Sequence, residues 1–121
     1  MADQGNEGLL SPFLRLQRIN KSKPFLRGKI LDYGCGTGSL APLVLPKNYI
    51  GYDIDESVIK KAQKDYPNYR FQANAVPQSK SFDTVISLAV IEHVLDPITF
   101  LKELSGYLKI NSLSRIILTT P

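Results

Sequence analysis

The segment Gly28–Leu40, GKILDYGCGTGSL, limits what this chain can fold into more than any other stretch. An apolar run from Lys29 to Tyr33 meets glycines at positions 34, 36 and 38. Such a run reads as a short buried strand that turns sharply where the glycines begin. A dinucleotide fingerprint would put its third glycine at position 39, which is Ser39. A phosphate loop needs a lysine after its last glycine, and none follows here. A glycine triplet alone is weak evidence, because turns use glycine for steric reasons. A helix predicted over Ser39–Leu45, stopped by Pro46, would aim free N–H groups and a positive dipole end at a carboxylate.

The rest of the chain alternates strand and helix patterns. Ser11-Pro12 starts a helix, with Ser11 as N-cap and Phe13, Leu14, Leu16 and Ile19 as its apolar face. Further strands are predicted over 48–53, 69–72, 82–88 and 114–120. Asp55 caps a helix that turns Val58, Ala62 and Tyr66 inward and Lys60, Lys61 and Lys64 outward. That helix ends by Tyr66, ahead of Pro67. Asp96-Pro97 opens another, with Phe100, Leu101, Leu104 and Leu108 on one side and Asn111 in the left-handed position that ends it. The alternation argues for an α/β fold with a parallel sheet covered on both faces. Ligands of such sheets bind beyond the carboxyl ends of the strands, which is where the glycines fall. Residues 1–24 divide off as an N-terminal helix and basic linker, and 25–121 form the core.

Composition narrows the function. At 121 residues, 43% hydrophobic and 21% charged, the chain suits one folded domain rather than disorder. No run approaches the roughly 20 apolar residues of a membrane-spanning helix. The start, MADQGNEG, lacks the basic and apolar regions of a signal peptide, so a cytoplasmic setting is expected. One cysteine, Cys35, and one histidine, His93, exclude an internal disulfide and leave no metal site expected. Basic residues gather in RINKSKPFLRGK and at Lys60, Lys61 and Lys64. With Phe25 alone among them and no series of aromatic platforms, these read as solvated faces, and nucleic-acid binding is not expected.

Two carboxylates give the glycine turn its meaning. Asp32 ends the first strand and Asp53 the second. A carboxylate at the second position can accept hydrogen bonds from both hydroxyls of a ribose. A negative Asp32 beside the turn would suit an ammonium group. Ammonium, carboxylate and ribose together describe S-adenosyl-L-methionine better than NAD.

At this point the sequence resembles the class I S-adenosylmethionine-dependent methyltransferases. ILDYGCGTG is similar to their first motif, YIGYDIDESVIKKA to their second strand with its ribose-binding acid, and FDTVISLAVIEHVLDP to their fourth strand and following turn. RIILTTP resembles their fifth strand, and order and spacing agree from about Phe25 to Pro121. The resemblance implies a three-layer Rossmann-like fold, with five parallel strands in the order 3-2-1-4-5 and helices on both faces. It implies that Gly34, Gly36 and Gly38, with Cys35 between them, wrap the methionine part, and that Asp53 holds the ribose. Asp32, Ile54 and Leu88 complete the cofactor-binding set, with Asn74-Ala75 where the family has Asp-Ala against adenine. The span from Asn74 to Phe82 is shorter than usual, which bears on that half of the adenine pocket.

Methyl transfer from a sulfonium needs no enzyme nucleophile, so Cys35 reads as a small residue that fits the turn. Glu92-His93, directly after the fourth strand, faces the acceptor side, and His93 can take a proton from a hydroxyl there. The plainer reading of His93 is a partly buried histidine at a helix start. Some relatives, among them quinone-precursor O-methyltransferases and small-RNA end methyltransferases, carry Glu-x-x-Glu-His here and use it for a metal. This chain has Ala89 where the first glutamate would stand. The Pro-Pro-aromatic run of base N-methylating enzymes and the Pro-Cys of cytosine-C5 enzymes are both absent. The expectation is methyl transfer to a small-molecule or lipid-like acceptor. The alternative is an incomplete, inactive cofactor-binding core that needs a partner, since the sequence stops at Pro121 after the fifth strand. The exposed edge at residues 115–119 would then be covered by the N-terminal segment, by a separate polypeptide or, as favoured here, by a second copy of the chain.

Overall fold

The computed structural model describes residues 11–88 and 90–119, without the side chains of Ser11, Pro12 and Glu92. Five strands form one sheet: β1 Ile30–Tyr33, β2 Tyr49–Tyr52, β3 Arg70–Gln72, β4 Thr84–Leu88 and β5 Arg115–Thr119. Their order is β3-β2-β1-β4-β5, and every pair is parallel, as expected from the alternating pattern. Helices α1 Ser11–Ser22, α2 Glu56–Asp65 and α3 Pro97–Gly106 supply the outer layers. Among the described residues no helix is long and apolar enough to cross a membrane.

Strand alternation divides the core between the two faces. Ile30 and Ile86 join Ile19 of α1, Leu40, Ala41 and Val44, and Ile59 and Ala62 of α2. Leu31 and Val85 point the other way, onto Phe82, Phe100 and Leu104 of the α3 side. Both central strands, β1 and β4, are buried on each side, which is why they read as continuous apolar runs.

The helix ends follow the expected chemistry in two of three cases. Asp55 caps α2 by accepting the Ser57 N–H at 2.9 Å, and Asp96 caps α3 by accepting that of Thr99 at 3.2 Å. Asn111, by contrast, does not end α3. The helix stops at Gly106, Tyr107 closes it at φ −85°, and the Asn111 side chain instead accepts the N–H groups of Leu113 and Ser114 in the turn before β5. An asparagine side chain that satisfies two amides serves a loop better than a helix cap.

Three other expectations are corrected. In α1, Phe13, Leu14 and Leu16 are exposed at 58%, 37% and 54%, and the inward pair is Ile19 with Ser22. Phe13 and Ile19 are six residues apart, hence about 120° apart around the helix, and one stripe cannot hold both. In α2 the buried residues are Ile59 and Ala62, while Val58 is only half-buried and Tyr66 lies just past the helix end. The predicted helix over Ser39–Leu45 is a single 3-10 turn, Ala41–Leu43. Pro42 and Pro46 leave too few N–H donors for an α-helical ladder, and so short a helix would not repay its nucleation.

The α1 correction is testable by urea denaturation. Ile19→Ala should cost about 2–4 kcal/mol, and Leu16→Ala less than about 0.5 kcal/mol.

Candidate functional site

The glycine turn begins where β1 ends. Gly34, Gly36 and Gly38 take φ values of +82°, +55° and +89°, all in the region that favours glycine. Tyr52 O, at the end of β2, accepts both the Gly34 N–H (2.7 Å) and the Cys35 N–H (2.9 Å). The turn is therefore strapped to the neighbouring strand. A Cβ on Gly38 would lie 2.9 Å from the Phe71 ring, whereas one on Gly36 would meet nothing within 4 Å. The middle of the turn thus presents bare backbone to open space.

Asp53 faces this backbone. Its Oδ2 accepts the Gly36 N–H and its Oδ1 the Asp55 N–H, each at 3.0 Å. The carboxylate links the glycine turn to the start of α2, and half-burial leaves it within reach of a ligand. An ionised carboxyl has about four acceptor positions, so two remain for hydroxyl donors. Ile54, 83% exposed, offers an apolar surface beside it. Asn74 and Ala75 follow β3 on an exposed loop, where Ala75 O accepts the Gln72 side-chain amide at 2.8 Å.

Asp32 behaves differently from the expected open anion. It is 3% exposed, and its Oδ2 accepts the phenolic O–H of Tyr49 at 2.6 Å. Burial lifts its carboxyl from 3.8 to about 7, against the lowering pull of the Tyr49 bond and with a smaller upward push from Asp53. Near neutral pH the group is shared between its acid and its anion. The plain negative charge anticipated from sequence is thus replaced by a buried carboxyl paired with a phenol. Tyr49 reaches it across Gly51, where a Cβ would stand 2.9 Å from the phenol oxygen and 2.6 Å from the Phe71 ring. Neither Tyr49 nor Gly51 was singled out from sequence; the small residue two places after a strand-entry tyrosine was the available signal.

Cys35 is buried, its Sγ 3.5 Å from Gly36 O, and burial pushes its thiol up, away from the thiolate a nucleophile requires. Leu88 is half-buried at the end of β4. Just beyond, Val90 bounds the turn: a Cβ on Gly34 would lie 2.9 Å from its Cγ2. His93 is exposed in the 3-10 turn Ile91–His93, so it is neither partly buried nor at an α-helix start. Leu95 and Ile98 are exposed nearby in sequence, at 104% and 64%. Ala89 and the Glu92 side chain lie outside the described residues. The helix dipole expected after the glycines is replaced by the single 3-10 turn, so the backbone amides of the turn and Asp53 carry the polar character of this end of the sheet.

Residues 5–121 match the family model described as a methyltransferase domain, and the chain belongs to that family. Among curated relatives, a ubiquinone biosynthesis O-methyltransferase of Albidiferax ferrireducens is 32% identical over 108 residues, 79% of this chain and 43% of the relative. A crystal structure of an S-adenosylmethionine-dependent methyltransferase from Thermotoga maritima is 29% identical, with a TM-score of 0.65 over 78% of this chain and 46% of that one. The YcgJ protein of Bacillus subtilis shares the fold at a TM-score of 0.69 and 22% identity, over 85% of this chain and 50% of the other. The chain thus spans less than half the length of the curated relatives it matches.

Because the folded-state value of Asp32 is raised, native chains hold more protons than unfolded ones between about pH 4 and pH 7. That contribution is present in full below pH 4 and is lost as pH rises through 7. It amounts to at most about 4 kcal/mol. Urea unfolding at pH 5 and pH 8 should show wild-type stability falling with pH, and Asp32→Asn should flatten much of that fall.

Proposed function

We propose that this chain is the S-adenosyl-L-methionine-binding core of a methyltransferase acting on a small, hydroxyl-bearing acceptor. One observation carries the proposal: the Gly36 N–H bonded to Asp53, which sets open glycine backbone and a half-buried carboxylate side by side. The fit to the cofactor is chemical. Backbone of Gly34–Gly38 can lie against the methionine part without a side chain between, Asp53 has acceptor positions left for two ribose hydroxyls, and Ile54 gives the base an apolar neighbour. Asn74 and Ala75 lie on the loop that would edge the base. When bound, the cofactor supplies an electrophilic methyl group on a sulfonium. The chain's own part is to hold and orient it, and Asp32 contributes from beneath the turn.

The hydroxyl acceptor rests on the relatives named as O-methyltransferases. His93, with Glu92 beside it in sequence, lies in the turn after β4, and that position supports assigning it to the acceptor side as the group that would take the hydroxyl proton. A second reading, cofactor binding without turnover by these residues alone, is supported by the less than half of each curated relative that the chain spans. Self-association along the edge of β5 and a cytoplasmic setting belong to the same proposal; sedimentation of a strictly monomeric chain at high concentration would remove the first.

Calorimetry with S-adenosylmethionine, its demethylated product and NAD tests the cofactor directly. The two adenosyl sulfur compounds should bind and NAD should not; NAD binding of equal strength would overturn the assignment. Asp53→Ala should weaken cofactor binding by about 1.5–3 kcal/mol, the worth of charge-assisted hydrogen bonds. In a form of the protein with measurable turnover, His93→Ala should lower kcat while cofactor affinity holds. An unchanged rate across the neutral pH range would restrict His93 to a structural part.

A further inference from the structure

The N-terminal ends of β1, β2 and β3 border a cavity of about 520 Å³. The strands are parallel, so this cavity lies at the opposite end of the sheet from the glycine turn. Lys29 enters β1, Lys47 precedes β2 and Arg70 begins β3, and all three line it, with Asn68, Tyr69 and Ile50. Register explains the convergence: Tyr49 pairs with Ile30, and Ile50 with Arg70. Among the described residues no acidic side chain lines the cavity. The ion pairs among the described residues join Arg27 and Lys109 to Asp83, and Lys61 to Asp65, leaving these three cations outside them. Asp83 accepts the Lys29 backbone N–H at 2.8 Å but is already held by those two partners, while the Lys29 ammonium sits 5.2 Å from the Phe82 ring centre.

Three basic residues around one concavity raise its potential and favour an anion there, with the flexible Lys29 side chain able to swing in from the Phe82 ring. The volume is in the range that takes a small organic molecule. A guanidinium, two ammoniums and the Asn68 amide can donate to the oxygens of a tetrahedral anion, with Arg70 able to do so in two-pronged fashion. Ile50 and the Tyr69 ring offer an apolar wall; the Tyr69 hydroxyl is already committed to Val44 O at 2.6 Å.

We infer that this cavity binds a phosphate-bearing ligand, with Lys29, Lys47 and Arg70 on the phosphate oxygens and Ile50 and Tyr69 against the apolar remainder. The site is separate from the cofactor turn, so both can be filled together. A soluble phosphorylated molecule and a lipid headgroup share this chemistry, and two probes separate them.

Pyrophosphate titrated at about 0.15 M ionic strength into the nitrogen-15-labelled chain should give saturable shifts at the amides of Lys29, Lys47, Asn68 and Arg70. Those of Gly34, Gly36, Gly38 and Asp53 should stay in place. Replacing both Lys47→Gln and Arg70→Gln should weaken binding about tenfold or more, as expected for lost charge-assisted hydrogen bonds. Replacing both Lys60→Gln and Lys61→Gln on α2 should change it less than about twofold, because exposed charges at a distance are screened. Phosphatidylcholine vesicles with and without phosphatidic acid form the second arm. Retention on phosphatidic acid vesicles that the Lys47/Arg70 pair of changes abolishes assigns the phosphate to a lipid. Pyrophosphate binding without retention assigns it to a soluble ligand. Shifts centred on the glycine turn, equal weakening by the α2 changes, vesicle binding that survives the Lys47/Arg70 changes, or no binding of either probe would each overturn the inference.

Discussion

Two amide hydrogens on one carbonyl oxygen hold the functional end of this fold together. The N–H groups of Gly34 and Cys35 both reach Tyr52 O, so the chain cannot leave β1 without following the end of β2. From that point the glycines turn the backbone back, and the Gly36 N–H arrives at Asp53. Asp53 in turn receives the Asp55 N–H, and Asp55 caps α2. Strand, turn, carboxylate and helix start are one continuous hydrogen-bonded chain, with the backbone donating at each link.

Its electrostatics are graded by depth. Asp55, on the surface, is held below its ordinary value by its two bonds from Ser57. Asp53 is half-buried with a backbone donor on each oxygen. Asp32, sealed inside with one phenol, is driven upward by the loss of water. Burial and hydrogen-bond supply thus push the carboxyls of Asp55 and Asp32 in opposite directions, while Asp53 between them holds a backbone donor on each oxygen.

Strand positions were legible because β1 and β4 are buried on both faces and parallel strands of that kind are mostly apolar along their length, whereas the strand order came from the family resemblance. The glycine turn was legible because a positive φ is a local backbone demand, and Asp53 because it stands at the end of the neighbouring strand of a parallel pair. What escaped was decided by packing between distant segments. Whether Ile19 or Leu16 turns inward depends on which arc of α1 the sheet accepts, and Asp32 looks like any strand-end acid until Tyr49, 17 residues later, is found to cover it. The helix expected after Ser39 failed for a local reason, two prolines in seven residues, that weighs more than the apolar spacing around them.

Gly51 carries a consequence for how this sequence can change. Its backbone is ordinary extended strand, so nothing in its own conformation demands glycine; the demand comes from Tyr49 and Phe71, whose side chains occupy the volume a Cβ would need. Its tolerance is therefore conditional on theirs. A methyl group at 51 would need both Phe71 and Tyr49 to give way, and a smaller residue at 49 would strip Asp32 of its phenol in the same step. The three strand positions and the buried carboxyl form a single unit of variation, in which substitutions combine non-additively and a viable replacement at one site presupposes a matched replacement at another.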